Sequence, residues 1–357
     1  MSSKSVRPIL PEQAGGIGLV HWDAPAEDQV DSGEDAAGDV DAAEWETRAV
    51  VAGVDAHGLR LDKALALWVP EFSRSYLQAL LLQGAVLVNG KQHAKPSSKV
   101  KVGDAVSVEL RPTQQSQAFL PQDIPLDVVY EDAHFLIVNK PAGMVVHPAP
   151  GNWSGTLLNA LLAHDAKAAQ LPRAGIVHRL DKDTSGLMVV ARDRQTMDAL
   201  VRLIAARDVN RNYVALAHKP WVGVATKTVA LPIGRDPRNR LRMAVVDLAQ
   251  HAGKPAKTDF RLLASAPDAC LVFCKLHTGR THQIRVHMAS LHHPLLADAL
   301  YGGVPAAGME RQALHALRLA FVHPVTGEAM SWFALPPSDM LQAMENLDIR
   351  YNLQELA

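Results

Sequence analysis

The chain has 357 residues, 48% of them hydrophobic and 20% charged, with a formal net charge of −1. That length exceeds one ordinary domain and suits two plus a tail. No apolar run approaches the roughly 18 residues a membrane-spanning helix needs, and no basic segment followed by an apolar stretch opens the chain, so a membrane protein and a secreted one are both set aside and the cytoplasm is expected. Cys270 and Cys274 are the only cysteines. Two thiols four residues apart on one expected strand make a poor disulfide and too small a zinc set, so both are read as buried packing.

The near-zero charge conceals an asymmetry. Residues 1–48 hold 11 acidic and 3 basic residues, a net of −8, which leaves the remainder with 33 basic and 26 acidic residues, a net of +7. The Ala-, Gly- and Asp/Glu-rich tail at 1–48 is expected to be disordered, with a role in solubility or in competing with an anion for the basic body. A compact unit follows at 49–111. Leu61, Leu65 and Leu67 lie in a helical stretch with Asp62 and Lys63 exposed, and a second helix starts near Ser73 or Ser75, either of which can cap it. Leu77, Leu80 and Leu81 carry its apolar face, and Ala85–Val88 reads as a short strand closed by Asn89-Gly90, a strong hairpin signal. Lys91, Lys95, Lys99 and Lys101 come next, and Gly103-Asp104 turns the chain into a strand at Val106–Leu110.

Four ordered segments of this unit resemble an S4-type RNA-binding domain: Arg60–Lys63, Ser73–Ser75, Gly84–Gly90 and Lys99–Asp104. The resemblance implies that Arg60, Lys63 and Arg74, with the lysines that follow, present a basic face to RNA phosphates, which gives affinity and positioning more than sequence choice. Residues 112–122 read as a linker.

A larger domain is expected over 123–340. Val128–Tyr130 and Phe135–Asn139 are strand-like, a helix runs from Thr156 to His164, and Gly186–Ala191 is a buried strand. Met197, Leu200, Val201 and Ile204 have helical spacing within 194–207, and Tyr213–Ala217 and Cys270–Leu276 are further strands. Strands and helices do not alternate regularly, so α+β with a mixed or antiparallel central sheet is favoured over a doubly wound fold. The last stretch, 341–357, reads as a short helix or a frayed tail.

Walker A, dinucleotide-binding, His-Glu-x-x-His and nucleophile-elbow motifs are all missing, so no nucleotide cofactor is expected. The histidines at 282, 287, 292 and 293 lack a matching acidic or thiol set, so no metal is expected either. The polar loop His178-Arg179-Leu180-Asp181-Lys182-Asp183-Thr184-Ser185, lying between two apolar runs, reads by itself as a turn. Thr278–His287 reads by itself as a helix start with solvated arginines, or places Arg280 against Asp181, where it would favour the ionised carboxylate. Tyr213 alone is a core tyrosine.

Taken together, these segments resemble the RluA-type pseudouridine synthase family. Further matching motifs are Asn139–Pro148, Gly155–Leu157, Pro232–Arg235, Gly253–Ala256, Asp298 with Tyr301–Gly303, and Gln312–Ala316. The resemblance implies the pseudouridine synthase fold and the isomerisation of uridine in RNA without any cofactor. It implies Asp181 as the catalytic carboxylate, Tyr213 against the base and Arg280 as the ion-pair partner of Asp181. Arg179, His178 and Ile284 are implied on the substrate, with Arg179 helping to hold a flipped-out base. The branch most resembled points to large-subunit (23S) rRNA or the pre-50S particle, at the helix 69 stem-loop, with the chain acting as a monomer. Another rRNA loop or a tRNA is the alternative target, and an idle RNA-binding assembly factor the alternative class. The departures are Ala297 and Ala299 on either side of Asp298, where the family usually has a glycine and then a proline or similar residue, Asp236 where histidine is expected, and a short loop at Val304–Met309.

Overall fold

A computed structural model describes residues 46–111, 118–239 and 241–357. The acidic tail up to residue 45 and positions 112–117 of the expected linker lie outside the described residues.

The N-terminal body contains β1 (Glu46–Val51), α1 (Leu61–Trp68), α2 (Arg74–Leu82), β2 (Val86–Val88), β3 (Lys91–Gln92) and β4 (Ala105–Leu110). Its antiparallel sheet has the order β1-β4-β2-β3. Ser73 caps α2 by accepting the Tyr76 N–H, and Asn89 and Gly90 both take positive φ at the β2–β3 turn, as the tight hairpin requires. Leu61, Leu65, Leu77, Leu80 and Leu81 pack on Val86, Val106 and Val108.

Leu61, Leu65 and Leu67 all lie in α1, as expected; Leu67, six residues from Leu61 and away from the 61/64/65 stripe, is 51% exposed. One expectation for α1 is corrected: Asp62, expected in solvent, is fully buried. Its carboxylate accepts from Arg60 Nε at 3.1 Å, Arg74 Nη2 at 2.6 Å and Gln78 Nε2 at 2.6 Å. Burial pushes this carboxyl up, but the hydrogen bonds from Arg60, Arg74 and Gln78 outweigh it and hold the group far below the usual range. Lys63 is exposed as expected.

The larger body contains β5 (Val128–Glu131), β6 (Phe135–Lys140), α3 (Leu157–His164), β7 (Ser185–Ala191), α4 (Arg194–Ala206), β8 (Asn210–His218), β9 (Thr226–Val229), β10 (Ile233–Arg235), β11 (Met243–Val245), β12 (Thr258–Ser265), β13 (Ala269–Leu276), α5 (Gln283–Ser290), β14 (Leu314–Val322), β15 (Ala329–Phe333) and α6 (Ser338–Asn346). The main sheet runs β5-β6-β7-β14-β8-β13-β12-β9, with β15 also on β14. It is antiparallel except at β7–β14, which makes it mixed.

Strand alternation sends side chains to both faces, and both faces are covered. Val138, Met188, Ala215 and Val272 pack under α3 and α5 through Leu157, Leu161, Ile284 and Met288. On the opposite face, Ile137 and Val189 meet Leu200 of α4, while Val214 and Leu271 meet Met340 and Met344 of α6. Of the two readings of the last stretch, the short helix holds: α6 runs to Asn346, and Ile349 and Leu353 beyond it are buried in that same cluster. Cys270 and Cys274 are buried free thiols, as expected, and burial pushes the Cys270 thiol up to about 12.

The parallel β7–β14 pairing depends on one glycine. Gly186 has φ +116°, and a Cβ there would stand 2.4 Å from the carbonyl oxygen of Ala316. Glycine therefore lets β7 cross against β14 immediately after the 178–184 loop.

We expect Asp62→Asn to destabilise the N-terminal body by about 1–3 kcal/mol, because two guanidinium groups lose their shared buried counter-charge. Hydrogen exchange of the α1 and α2 amides at pH 7 measures it. Because the folded carboxyl titrates below its unfolded value, the wild-type advantage is present above pH of about 4 and declines as the pH falls further.

Candidate active site

A cleft of about 390 Å³ opens where the 178–184 loop, the start of β8, the 277–282 loop and α5 converge. Backbone carbonyls of the first loop are held from several directions. Lys140, almost fully buried, donates to the carbonyls of Pro141, Met144 and Lys182 at 2.8, 2.9 and 3.0 Å. Arg311 donates to the Asp183 carbonyl at 2.8 Å while forking onto the Asp339 carboxylate. The Asp181 carbonyl accepts the Thr184 N–H. His178 Nε2 accepts the Val189 N–H at 3.1 Å, which places the imidazole proton on Nδ1, and burial pushes this histidine down to about 3.

The Asp181 side chain is 20% exposed at the cleft. Its Oδ2 accepts from Arg285 Nη1 at 3.1 Å, and its Oδ1 stands 3.9 Å from His282 Nε2. Arg285 also forks onto fully buried Asp298, with Nε–Oδ2 and Nη2–Oδ1 both 2.8 Å, and lies over the Tyr301 ring at 5.0 Å. Burial would raise the Asp181 carboxyl, but the charges of His282 and Arg285 and the Arg285 hydrogen bond bring it below its ordinary value. His282 is itself lowered by burial, against the pull of Asp181, so it is neutral at pH 7 and Arg285 does most of this work. The Tyr301 hydroxyl accepts the Met243 N–H at 3.0 Å, leaving its own proton for His282 Nδ1 at 2.8 Å. The His282 Nε2 proton then faces Asp181. His282 holds this position with a left-handed backbone, φ 56°, at the N-cap of α5.

Tyr213, on β8, is 5% exposed, and burial pushes its phenol up to about 12, so the hydroxyl stays protonated at neutral pH. Among the described residues, no three His, Cys, Asp or Glu side chains converge as a metal site would need.

Of the residues singled out in the sequence, Asp181, Arg179, His178, Tyr213, Ile284 and Arg280 all line this one cleft. Arg60, Lys63 and Arg74 belong to the N-terminal body, where Arg60 and Arg74 are bound to Asp62. The expected Arg280–Asp181 pair is corrected: Arg285 takes that place. Arg280 precedes α5 in a turn closed by its own N–H on Gln283 Oε1, and its Nε donates to the Pro255 carbonyl at 3.1 Å. Arg285 sits in the first turn of α5, whose residues from Gln283 to Met288 are all buried. An arginine set among buried apolar positions of a short helix is the signal that separates it from Arg280. His282, Asp298 and Lys140 lie within the matching motifs, and only the fold shows that they hold the carboxylate, its arginine or its loop.

Residues 134–290 match the RNA pseudouridylate synthase family, and residues 59–106 match the S4 domain. A protein of Neisseria meningitidis serogroup B named ribosomal large subunit pseudouridine synthase D is 47% identical over 310 residues, covering 83% of this chain and 80% of its own length. The chain belongs to the RNA pseudouridine synthase family. An Escherichia coli K12 protein of the same name is 45% identical, over 81% of this chain and 90% of its own. The solved structure of human RNA pseudouridylate synthase domain containing 1 is 28% identical, with a TM-score of 0.49 over 60% of this chain and 85% of its own.

The synthase's departures from the family pattern now have physical readings. Asp236 binds the Arg238 N–H at 2.8 Å and Arg242 Nε at 2.6 Å, closing the turn between β10 and β11. Ala297 has φ 57°, a conformation that explains why glycine is usual there.

Two outcomes are expected. Arg285→Met should lower turnover by about 100-fold or more, since breaking a buried pair costs about 3–5 kcal/mol. Its acid limb should also move to higher pH, because Asp181 loses the cation that keeps it ionised; Arg280→Ala should leave that limb in place. Release of the uridine C5 proton against pH measures both. Ala297→Gly should stabilise the domain by about 0.5–1 kcal/mol in thermal unfolding, by relieving a left-handed alanine.

Proposed function

We propose that this synthase isomerises uridines in large-subunit rRNA, at the helix 69 stem-loop, with Asp181 as its catalytic carboxylate. The observation that carries the chemistry is the Asp181 carboxylate, kept ionised by Arg285 in a cleft shared with Tyr213. The names of its relatives support the large-subunit target. Isomerisation breaks the bond from N1 to C1′, turns the base, forms a bond from C5 to C1′, and exchanges the C5 proton for one on N1. Attack at the ribose or base and proton removal from the ribose both require an ionised group, which is the state the Arg285 pair favours. Tyr213 offers a ring face for stacking and a protonated hydroxyl.

A base must leave its stack to enter a cleft of this size, and that is least costly in a loop. Exposed Arg179, beside the carboxylate, is suited to occupying the vacated space. The S4 segment supports docking on structured RNA, with Lys63 and the lysines between β3 and β4 as phosphate contacts.

Asp181→Asn should abolish isomerisation while binding RNA about as tightly as wild type. Pseudouridine mapping in a strain lacking the gene, complemented with either form, tests this. Marks in the helix 69 loop should return with wild type alone. Loss of a tRNA mark instead would move the target, and marks restored by Asp181→Asn would remove Asp181 from the mechanism.

A further inference from the structure

Arg211 is a second charged group of the cleft, distinct from the Asp181 network. It lies near the start of β8, two residues before Tyr213, so both side chains leave the strand on the same side. Both line the cleft. Arg211 is only 8% exposed, yet its Nε is buried without a hydrogen-bond partner among the described residues. The guanidinium lies against Gly279, where a Cβ would stand 2.7 Å from Nη1. The nearest acidic group of the cleft, Asp181, is engaged by Arg285.

Burying a guanidinium without a counter-charge costs several kcal/mol, and such a group is normally paired. Arg179, Arg207 and Arg280 also line the cleft, so its cations exceed its anions. Arg179 and Arg207 are exposed and Arg280 is half-buried, whereas buried Arg211 can meet only what enters the cleft. We propose that Arg211 binds a non-bridging phosphate oxygen of the flipped-out target nucleotide and so sets how deeply that nucleotide seats against Asp181 and Tyr213. The ligand class is a phosphodiester of single-stranded or looped RNA, and the proposal rests on the RNA-modifying reading above. A planar fork suits this task better than an ammonium, because it gives two parallel hydrogen bonds to one phosphate. Gly279 is part of the same design, since a side chain there would push the guanidinium aside.

The test is single-turnover kinetics on a 23S rRNA transcript with wild type, Arg211→Met, Arg211→Lys and Gly279→Ala. We expect half-saturation to need roughly ten-fold more RNA in Arg211→Met, with an intermediate loss in Arg211→Lys and Gly279→Ala. The slope of log affinity against log salt should fall by about one in Arg211→Met. Its thermal stability should equal or exceed that of wild type, because the mutation removes an unpaired buried charge. An unchanged salt slope overturns the proposal. A loss confined to the saturated rate also overturns it and assigns Arg211 to charge developing on the uracil. A lowered melting temperature with unchanged kinetics makes it structural. If wild type does not modify the transcript, the substrate reading has failed, and the same four proteins are compared on bulk tRNA.

Discussion

The Arg285 guanidinium holds two carboxylates at once, and the arrangement of the cleft is organised around it. With Asp298 it forms a buried fork, and with Asp181 a single bond at the cleft. The two bonds to Asp298 fix the plane of the guanidinium. The third then fixes where the Asp181 carboxylate points and keeps it charged despite partial burial. The tyrosine ring beneath the cation and the histidine bound to that tyrosine's hydroxyl close the same unit. The unit ties α5 and the neighbouring loop at Asp298 to the loop at Asp181, which lies 104 residues before Arg285, so no single element carries the site.

The sheet provides the rigidity this needs. Its strands are covered on both faces, and the loop that bears Asp181 enters β7 through a crossing only glycine permits. Lys140 and Arg311 then bind the loop's carbonyls from two sides. Lys140 is bound by carbonyls alone, and its charge also attracts the carboxylates of Asp181 and Asp183, so the cation that fixes the loop acts on the electrostatics at its tip as well.

Much of this was legible in the sequence, and the misses share one cause. Apolar spacing located α3, α4 and the strands around Tyr213 and Cys270, because burial on a repeating face leaves a periodic trace. The loop motif pointed to Asp181. Asp62 and Arg285 were misplaced, and the segment around Ile349 stays open between helix and tail, because each is decided by a partner distant in the chain. Polarity placed Asp62 in solvent, but two arginines and a glutamine make its burial favourable. Arg280 and Arg285 are alike in composition and differ only in where α5 begins. The last residues have weak periodicity, yet they cover a face of the sheet that is otherwise open.

The route of the chain has a consequence for biosynthesis. The loop carrying Asp181 is fixed by β14, which begins at Leu314, by Arg311, and through Arg311 by Asp339. These partners lie more than a hundred residues downstream of the loop, and parallel pairing over such a separation is slow to form. A nascent chain therefore completes its N-terminal body long before the cleft around Asp181 is assembled. Translation order by itself separates the two bodies in time: the cleft can be complete only once the last strands have left the ribosome.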